Sequence, residues 1–199
     1  MMATEILFAS NNDHKRREFL RLFPGVSLLT PRDIGVGFDF EENGETFLAN
    51  AQGKAMALFQ AARRPVIADD SGLCVRSLGG KPGILSSRFG AGPDGAPLDA
   101  PRRNAYLLNL MKGISDREAY FVCCIVLILG EARWLAAQET VHGSIAHEPR
   151  GENGFGYDPL FVLPDRGKTI AELPNHEKDA ISHRGRAARR VMAALRSED

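Results

Sequence analysis

Three kinds of feature are scarce in this 199-residue chain, and each scarcity excludes a class of protein. Cysteine occurs three times, at Cys74, Cys123 and Cys124, an odd number without metal-ligand spacing. Neighbours on a strand face opposite sides of a sheet, so all three are expected as reduced core residues. Charge of one sign is not in excess: Lys plus Arg and Asp plus Glu each number 25. No global field therefore favours a nucleic-acid polymer, although residues 183–190 are locally basic. No apolar run approaches the roughly 20 residues needed to cross a bilayer. Met1-Met-Ala-Thr-Glu5 lacks the basic region and long apolar stretch of a secretion signal. A cytoplasmic protein without a membrane partner is expected. Neither G-x-x-x-x-G-K-[ST] nor G-x-G-x-x-G occurs, which removes two common phosphate-binding loops. The length suits one domain, residues 1–199, able to bury a core without staples.

What the chain does have is a succession of short apolar runs and helical stripes. Residues 6–9 read as a strand ending in polar turn formers, followed by a helix carrying Phe19, Leu20, Leu22 and Phe23. A second helix is expected over residues 46–62, with Phe47, Ala51, Ala55 and Leu58 on one stripe and Asn50 and Lys54 one turn apart. Glu41 and Glu42 sit just before it. Residues 65–68 read as a buried strand that delivers Asp69 and Asp70 to its carboxyl end, where α/β sheets collect ligands. Residues 79–101, rich in Gly and Pro, read as a long, partly mobile loop able to close over a substrate. A helix over residues 99–112 precedes the strongest strand, residues 119–129, with a hairpin partner at residues 133–141. A further strand follows at residues 159–163, and Ala188, Val191, Met192 and Leu195 give the last helix its stripe.

Four segments carry chemistry. Ser10-Asn-Asn-Asp-His-Lys15 places amides, a hydroxyl and a lysine after a strand, and a helix amino terminus there favours anions. Ala68-Asp-Asp-Ser-Gly72 supplies adjacent carboxylates. Acid pairs in loops are commonly solvated or cap helices, but at a strand end, with Glu41 and Glu42 available, they suit magnesium. That ion binds through one or two carboxylates plus substrate phosphates. Lys15 and Lys54 are surface cations by residue type, yet their setting beside these acids suits phosphate. Phe155, between two glycines, is either a turn aromatic covering the core or a platform that stacks a flat ring. His183 and Arg184 are either a helix start and a surface cation capped by Ser182, or fixed donors to a base edge with Lys178 nearby. Together the segments point to an enzyme acting on nucleotides.

In this order, the segments resemble the non-canonical purine nucleoside triphosphate pyrophosphatases, the Ham1-like or inosine triphosphate pyrophosphatase family. The likeness runs from Ile6 to Leu195. Its specific strings are Ala68-Asp-Asp-Ser-Gly-Leu73, Gly154-Phe-Gly-Tyr-Asp-Pro159 and Ile181-Ser-His-Arg-Gly185. Glu41-Glu42, Thr46-Phe47, Asn50-Ala51, Leu78-Gly-Gly80, Pro82-Gly83 and Ala171-Glu-Leu173 support them. The resemblance implies an elongated, two-lobed α/β fold with a long mixed β-sheet flanked by helices and a central active-site cleft, usually as a homodimer. It implies hydrolysis of ITP, dITP and XTP to the monophosphate and pyrophosphate with Mg2+ as cofactor, and no polymer substrate. Carried over, Asp70 would be the general base and a metal ligand, Glu41 a second metal ligand, and Asp69 a supporting acid, with Lys15 also catalytic. Ser10, Asn11, Asn12, Asp13, His14, Lys15, Lys54 and Ser71 would hold phosphates or sugar. Phe155, Gly156, Tyr157, Asp158, Lys178, His183 and Arg184 would surround the base.

The chain departs from the family's pattern at Asn11 and His14, where glycine or a small residue is usual, and at Leu85, Ser87 and Phe89. Altered rates or nucleotide preference are expected there, with activity kept. Two other readings stay open. A Maf-like nucleotide pyrophosphatase is opposed by Ser182-His-Arg-Gly185, and a regulatory nucleotide-binding protein is opposed by Glu41, Asp69, Asp70 and Lys15.

Overall fold

The computed structural model describes residues 4–92 and 95–196. Seven strands, β1 (Thr4–Phe8), β2 (Val26–Leu29), β3 (Val66–Val75), β4 (Glu118–Gly130), β5 (Arg133–Ile145), β6 (Phe161–Leu163) and β7 (Lys168–Thr169), form one sheet in the order β2-β1-β3-β4-β5-β6-β7. β1 pairs parallel with β2 and β3, whereas β6 pairs antiparallel with β5 and β7, so the sheet is mixed. Five α-helices accompany it among the described residues: α1 (Asp13–Leu22), α2 (Phe47–Ala62), α3 (Ala100–Leu110), α4 (Asn175–Ile181) and α5 (His183–Arg196). The expected α/β class holds. Among these residues no helix is long and apolar enough to cross a membrane. The amino-terminal residues 1–3, read above for a secretion signal, lie outside the described residues.

The chain divides into two compact units, one from residues 1–70, 123–139 and 183–199 and the other from residues 71–122 and 140–182. In the first unit the strands alternate their side chains between two apolar layers. Ile6, Phe8, Ile67, Cys123, Ile125 and Leu127 pack with α1 residue Phe19 and α5 residues Ala187, Ala188 and Val191. Leu7, Ala9, Val66, Ala68, Cys124, Val126 and Ile128 pack instead with α2 residues Ala51, Ala55, Leu58 and Phe59. Helices thus cover both faces, which is why β1, β4 and the start of β3 read as apolar runs. The neighbours Cys123 and Cys124 fall in opposite layers, and all three cysteines are buried and unpaired, as expected.

The second unit has its own core, in which Leu73, Val75, Leu107, Phe121, Val141, Tyr157 and Phe161 come together. Phe121 and Phe161 rings lie 4.5 Å apart. α3 starts where its sequence says it should: the Asp99 side chain accepts from the Arg102 N–H at 2.9 Å. Residues 79–101 are less loop-like than expected. They hold a 3-10 turn at Gly83–Leu85 and a bridge between Cys74 and Pro82; Pro93 and Asp94 lie outside the described residues.

One boundary is corrected with consequences for the chemistry. The sequence places Asp69 and Asp70 after a strand ending at Ala68, but β3 continues to Val75 and carries both acids, with Ser71, inside it. The strand continues because Leu73 and Val75 resume the buried pattern beyond the polar interruption.

Candidate active site

Because Asp69 and Asp70 are consecutive strand residues, their carboxylates leave opposite faces of the sheet. Asp69 points into the layer of α1 and α5. Its carboxylate lies 3.0 Å from Lys15 Nζ and 3.3 Å from Arg184, whose other guanidinium nitrogen donates to Glu18 at 2.6 Å. Asp70 points toward α2, where Asn50 Nδ2 donates to it at 3.1 Å and Lys54 Nζ stands 3.8 Å away. Lys54 also pairs with Glu42.

These surroundings give the two acids different proton affinities. Burial alone would raise the Asp69 carboxyl, but Lys15, Arg184 and Lys54 outweigh it and hold Asp69 well below the usual carboxylate range. For Asp70 burial is again the largest influence and here it prevails. With Glu42 adding repulsion, it keeps Asp70 above its ordinary value against the pull of Lys54, Lys15 and the Asn50 hydrogen bond. Lys54 loses affinity for its proton through burial, yet Asp69, Glu42 and Asp70 more than restore it, so its ammonium persists. Asp69 is therefore a fixed counter-charge and Asp70 the better proton acceptor.

The 10–15 segment caps α1. Asn12 Oδ1 accepts from the His14 and Lys15 N–H groups at 2.9 and 3.1 Å, and Ser10 Oγ accepts from the Asn12 N–H at 3.2 Å. Two of the amides expected to cradle an anion are thus engaged by Asn12 itself. Asn11 Nδ2 donates to the Phe38 carbonyl, His14 Nδ1 lies 3.0 Å from Arg17, and Asp13 occupies the helix's first turn. Glu41 is exposed, while Glu42 is the member of that pair brought against Lys54. Arg184, expected at a base edge, is buried between Glu18 and Asp69; His183 is also buried and opens α5.

In the second unit the residues 154–158 form a tight turn around a buried ion pair. Asp158 Oδ2 accepts from the Phe155 N–H at 2.8 Å and from Lys178 Nζ at 2.5 Å. Lys178, on α4, is 2 % exposed and its ammonium lies 5.1 Å from the centre of the Phe155 ring. Gly154 makes the turn possible twice over: its φ is +75°, and a Cβ there would fall 2.1 Å from Asp158 Oδ2. Phe155 is half-buried and takes no part in the core cluster, unlike Tyr157, whose ring joins it and whose hydroxyl donates to the Ser86 carbonyl at 3.0 Å. Ser71 is half-buried on β3.

Three residues joined to these groups were not singled out for chemistry in the sequence. Asn50 holds Asp70, Glu18 holds Arg184, and Asn104 holds the Gly156 carbonyl. Helical spacing offered a signal for two of them: Asn50 stands four residues before Lys54, and Glu18 three after Lys15. A cavity of about 560 Å³ in the second unit, lined in part by Met111, Lys112, Arg117 and His147, includes none of the candidate residues in its wall.

The Ham1 family profile matches residues 6–194, and the chain belongs to that family. A protein from Treponema denticola named dITP/XTP pyrophosphatase is 47% identical over 183 residues, spanning 92% of this chain and 94% of its own. One of the same name from Aromatoleum aromaticum is 42% identical, spanning 98% of each. The solved structure of the Staphylococcus aureus Ham1 protein superposes with a TM-score of 0.86 at 40% identity, covering 98% of this chain and all of that one. A HAM1 protein from Coxiella burnetii gives the same TM-score at 38% identity, covering 98% of this chain and 99% of that one. The Maf-like reading falls with this assignment.

Proposed function

We propose that this protein hydrolyses non-canonical purine nucleoside triphosphates, ITP, dITP and XTP, to the monophosphate and pyrophosphate, and so clears deaminated purines from nucleotide pools. The relatives' shared name, at 40–47% identity over most of the chain, supports the substrate class. The observation that carries the chemistry is the asymmetry of the acid doublet: one carboxylate neutralised by cations, its neighbour left with raised proton affinity.

Asp70 takes the proton from the water that attacks the α-phosphorus, the bond to the β-phosphate oxygen breaks, and pyrophosphate leaves. Lys15 and Lys54 meet the negative charge that grows on the phosphoryl oxygens, a task of positioning and electrostatics. Ser10, Asn11, Asn12, Asp13, His14 and Ser71 are assigned to phosphate and sugar. Asp70, a hard oxygen donor whose charge is disfavoured by burial and by Glu42, fits a divalent cation. Asp70 with Glu41 would hold magnesium, which would supply positive charge to the triphosphate. The unbroken match over residues 6–194 supports one pyrophosphatase domain made of both units. A second copy of the chain is its proposed partner, with no polymer bound, and the cytoplasm its proposed location.

The base is assigned to Phe155, Gly156, Tyr157, Asp158, Lys178, His183 and Arg184. Lys178 and His183 carry donors suited to a 6-keto oxygen and unsuited to adenine's amino group. Leaving such polar groups unpaired discriminates by roughly 10⁴ or more in sites built around them. Phe155→Ala is expected to weaken binding of an inosine nucleotide by about 1–3 kcal/mol through lost stacking. Titration calorimetry checks this, and unchanged affinity would make Phe155 a structural residue.

The function is tested by incubating protein and magnesium with ITP, dITP, XTP, ATP and GTP and measuring pyrophosphate against free phosphate. Pyrophosphate from the first three alone is expected. Free phosphate would move the cleaved bond, and no release from any would favour the regulatory nucleotide-binding reading.

A further inference from the structure

Asn104 sits in α3 with 5 % of its surface exposed. Its Nδ2 donates to the Gly156 carbonyl at 3.1 Å, and its Oδ1 is buried without a hydrogen-bond partner among the described residues. Exchanging the two amide atoms would set one acceptor against another, so the carbonyl fixes which way the side chain faces. A buried amide with half its capacity unmet is worse for stability than an apolar residue of the same shape. Packing alone does not explain an asparagine here, whereas gripping one carbonyl does.

That carbonyl belongs to the peptide joining Gly156 to Tyr157. The peptide is planar, so holding its oxygen also sets the direction of the Tyr157 N–H on the opposite side. Gly156 has a φ of +64° and open space around it, so its own sterics do not hold the plane. The flanks are held separately: Asp158 accepts the Phe155 N–H, and the Tyr157 hydroxyl reaches the Ser86 carbonyl. The preceding residue of α3 adds to the grip, for Arg103 lies 5.6 Å from the Tyr157 ring centre and donates to the Ser87 and Leu98 carbonyls. Asn104 is the contact that reaches the middle of the turn.

We propose that Asn104 is a positioning residue for base selection: it sets the Gly156–Tyr157 peptide plane, and through it the seat of Phe155 and the backbone face offered to the purine. The proposal rests on the assignment of the 154–158 turn to the base, and Asn104 acts through Gly156 without touching substrate.

Asn104→Leu removes the amide and its unmet acceptor at similar volume. The expected result is an unchanged or higher unfolding midpoint, a KM for ITP raised about tenfold, a kcat within about twofold, and an ITP-to-ATP ratio of kcat/KM reduced about tenfold, the scale on which misplaced binding contacts act. A purely structural residue would lower the midpoint and scale all nucleotides alike, and that pattern would overturn the proposal. Asn104→Asp provides a second arm should the leucine variant not fold. Its carboxylate would face the Gly156 carbonyl, while its protonated form regains a donor, so its KM defect relative to the unsubstituted protein should narrow as pH falls. A KM defect independent of pH, or KM and selectivity unaltered in the folded variants, overturns the proposal. If the unsubstituted protein releases no pyrophosphate from any nucleotide, the functional reading itself fails and takes this proposal with it. Normal turnover there with indifferent variants isolates the failure to Asn104.

Discussion

Asp70→Asn is expected to cut turnover by about 10²–10⁴-fold, the usual contribution of a positioned general base, while nucleotide binding stays largely intact. The substitution is close to isosteric, and its surroundings can accept it. Asn50 is locked in orientation because its Oδ1 accepts from the Gly44 N–H at 2.8 Å, so its Nδ2 remains aimed at whatever oxygen stands at position 70. Lys54 keeps Glu42 as a partner. What the variant lacks is a site for the proton. Asp69 cannot substitute, since it leaves the opposite face of β3 and its charge is pinned by Lys15 and Arg184. Pyrophosphate release measured across a magnesium series separates the two roles assigned to Asp70. Weakened cation binding would be recovered at high magnesium, whereas a missing base would not. Turnover restored to the unsubstituted level at saturating magnesium would remove Asp70 as the base.

The split between the two acids shows where sequence reading stops. The apolar runs of β1, β4 and the front of β3 were legible because helices on both faces bury their apolar residues, Ile6 to Phe8, Val122 to Ile128 and Val66 to Ala68. The same logic hid the continuation of β3. Two carboxylates look like the end of a buried strand unless cations wait on both sides, and here Lys15 and Arg184 on one face and Lys54 on the other make a charged doublet tolerable inside the sheet. β2, β7 and α4 are short, at four, two and seven residues, and carry too little periodicity to register. Glu41 and Glu42 were inseparable by sequence, since which one meets Lys54 depends on how the segment before α2 approaches the helix. Of the residues that hold the motif groups, Glu18 and Asn50 had only their helical spacing from Lys15 and Lys54 as a signal, and Asn104 had none, because their contacts are made across long sequence separations.

Lys178→Met should destabilise the protein by about 3–5 kcal/mol, the cost of breaking a buried ion pair from one side. Lys178 and Asp158 are 2 % and 3 % exposed, so solvent does little to screen the charge left behind. Methionine fills most of the lysine stem's volume, which keeps the packing term small and makes the stranded carboxylate the main loss. A decrease of this size lowers the thermal midpoint by about 6–20 °C in a chain of this length. Adding Asp158→Asn tests the cause. The amide oxygen can still accept from the Phe155 N–H, as Asp158 Oδ2 does at 2.8 Å, but no longer carries an uncompensated charge, so the double variant should regain a substantial part of the loss. Urea unfolding of both variants supplies the comparison. A double variant no more stable than Lys178→Met would mean that the lysine's packing, not its charge, holds the 154–158 turn against α4. In that case the ammonium would be free of a structural duty and available to the base edge alone.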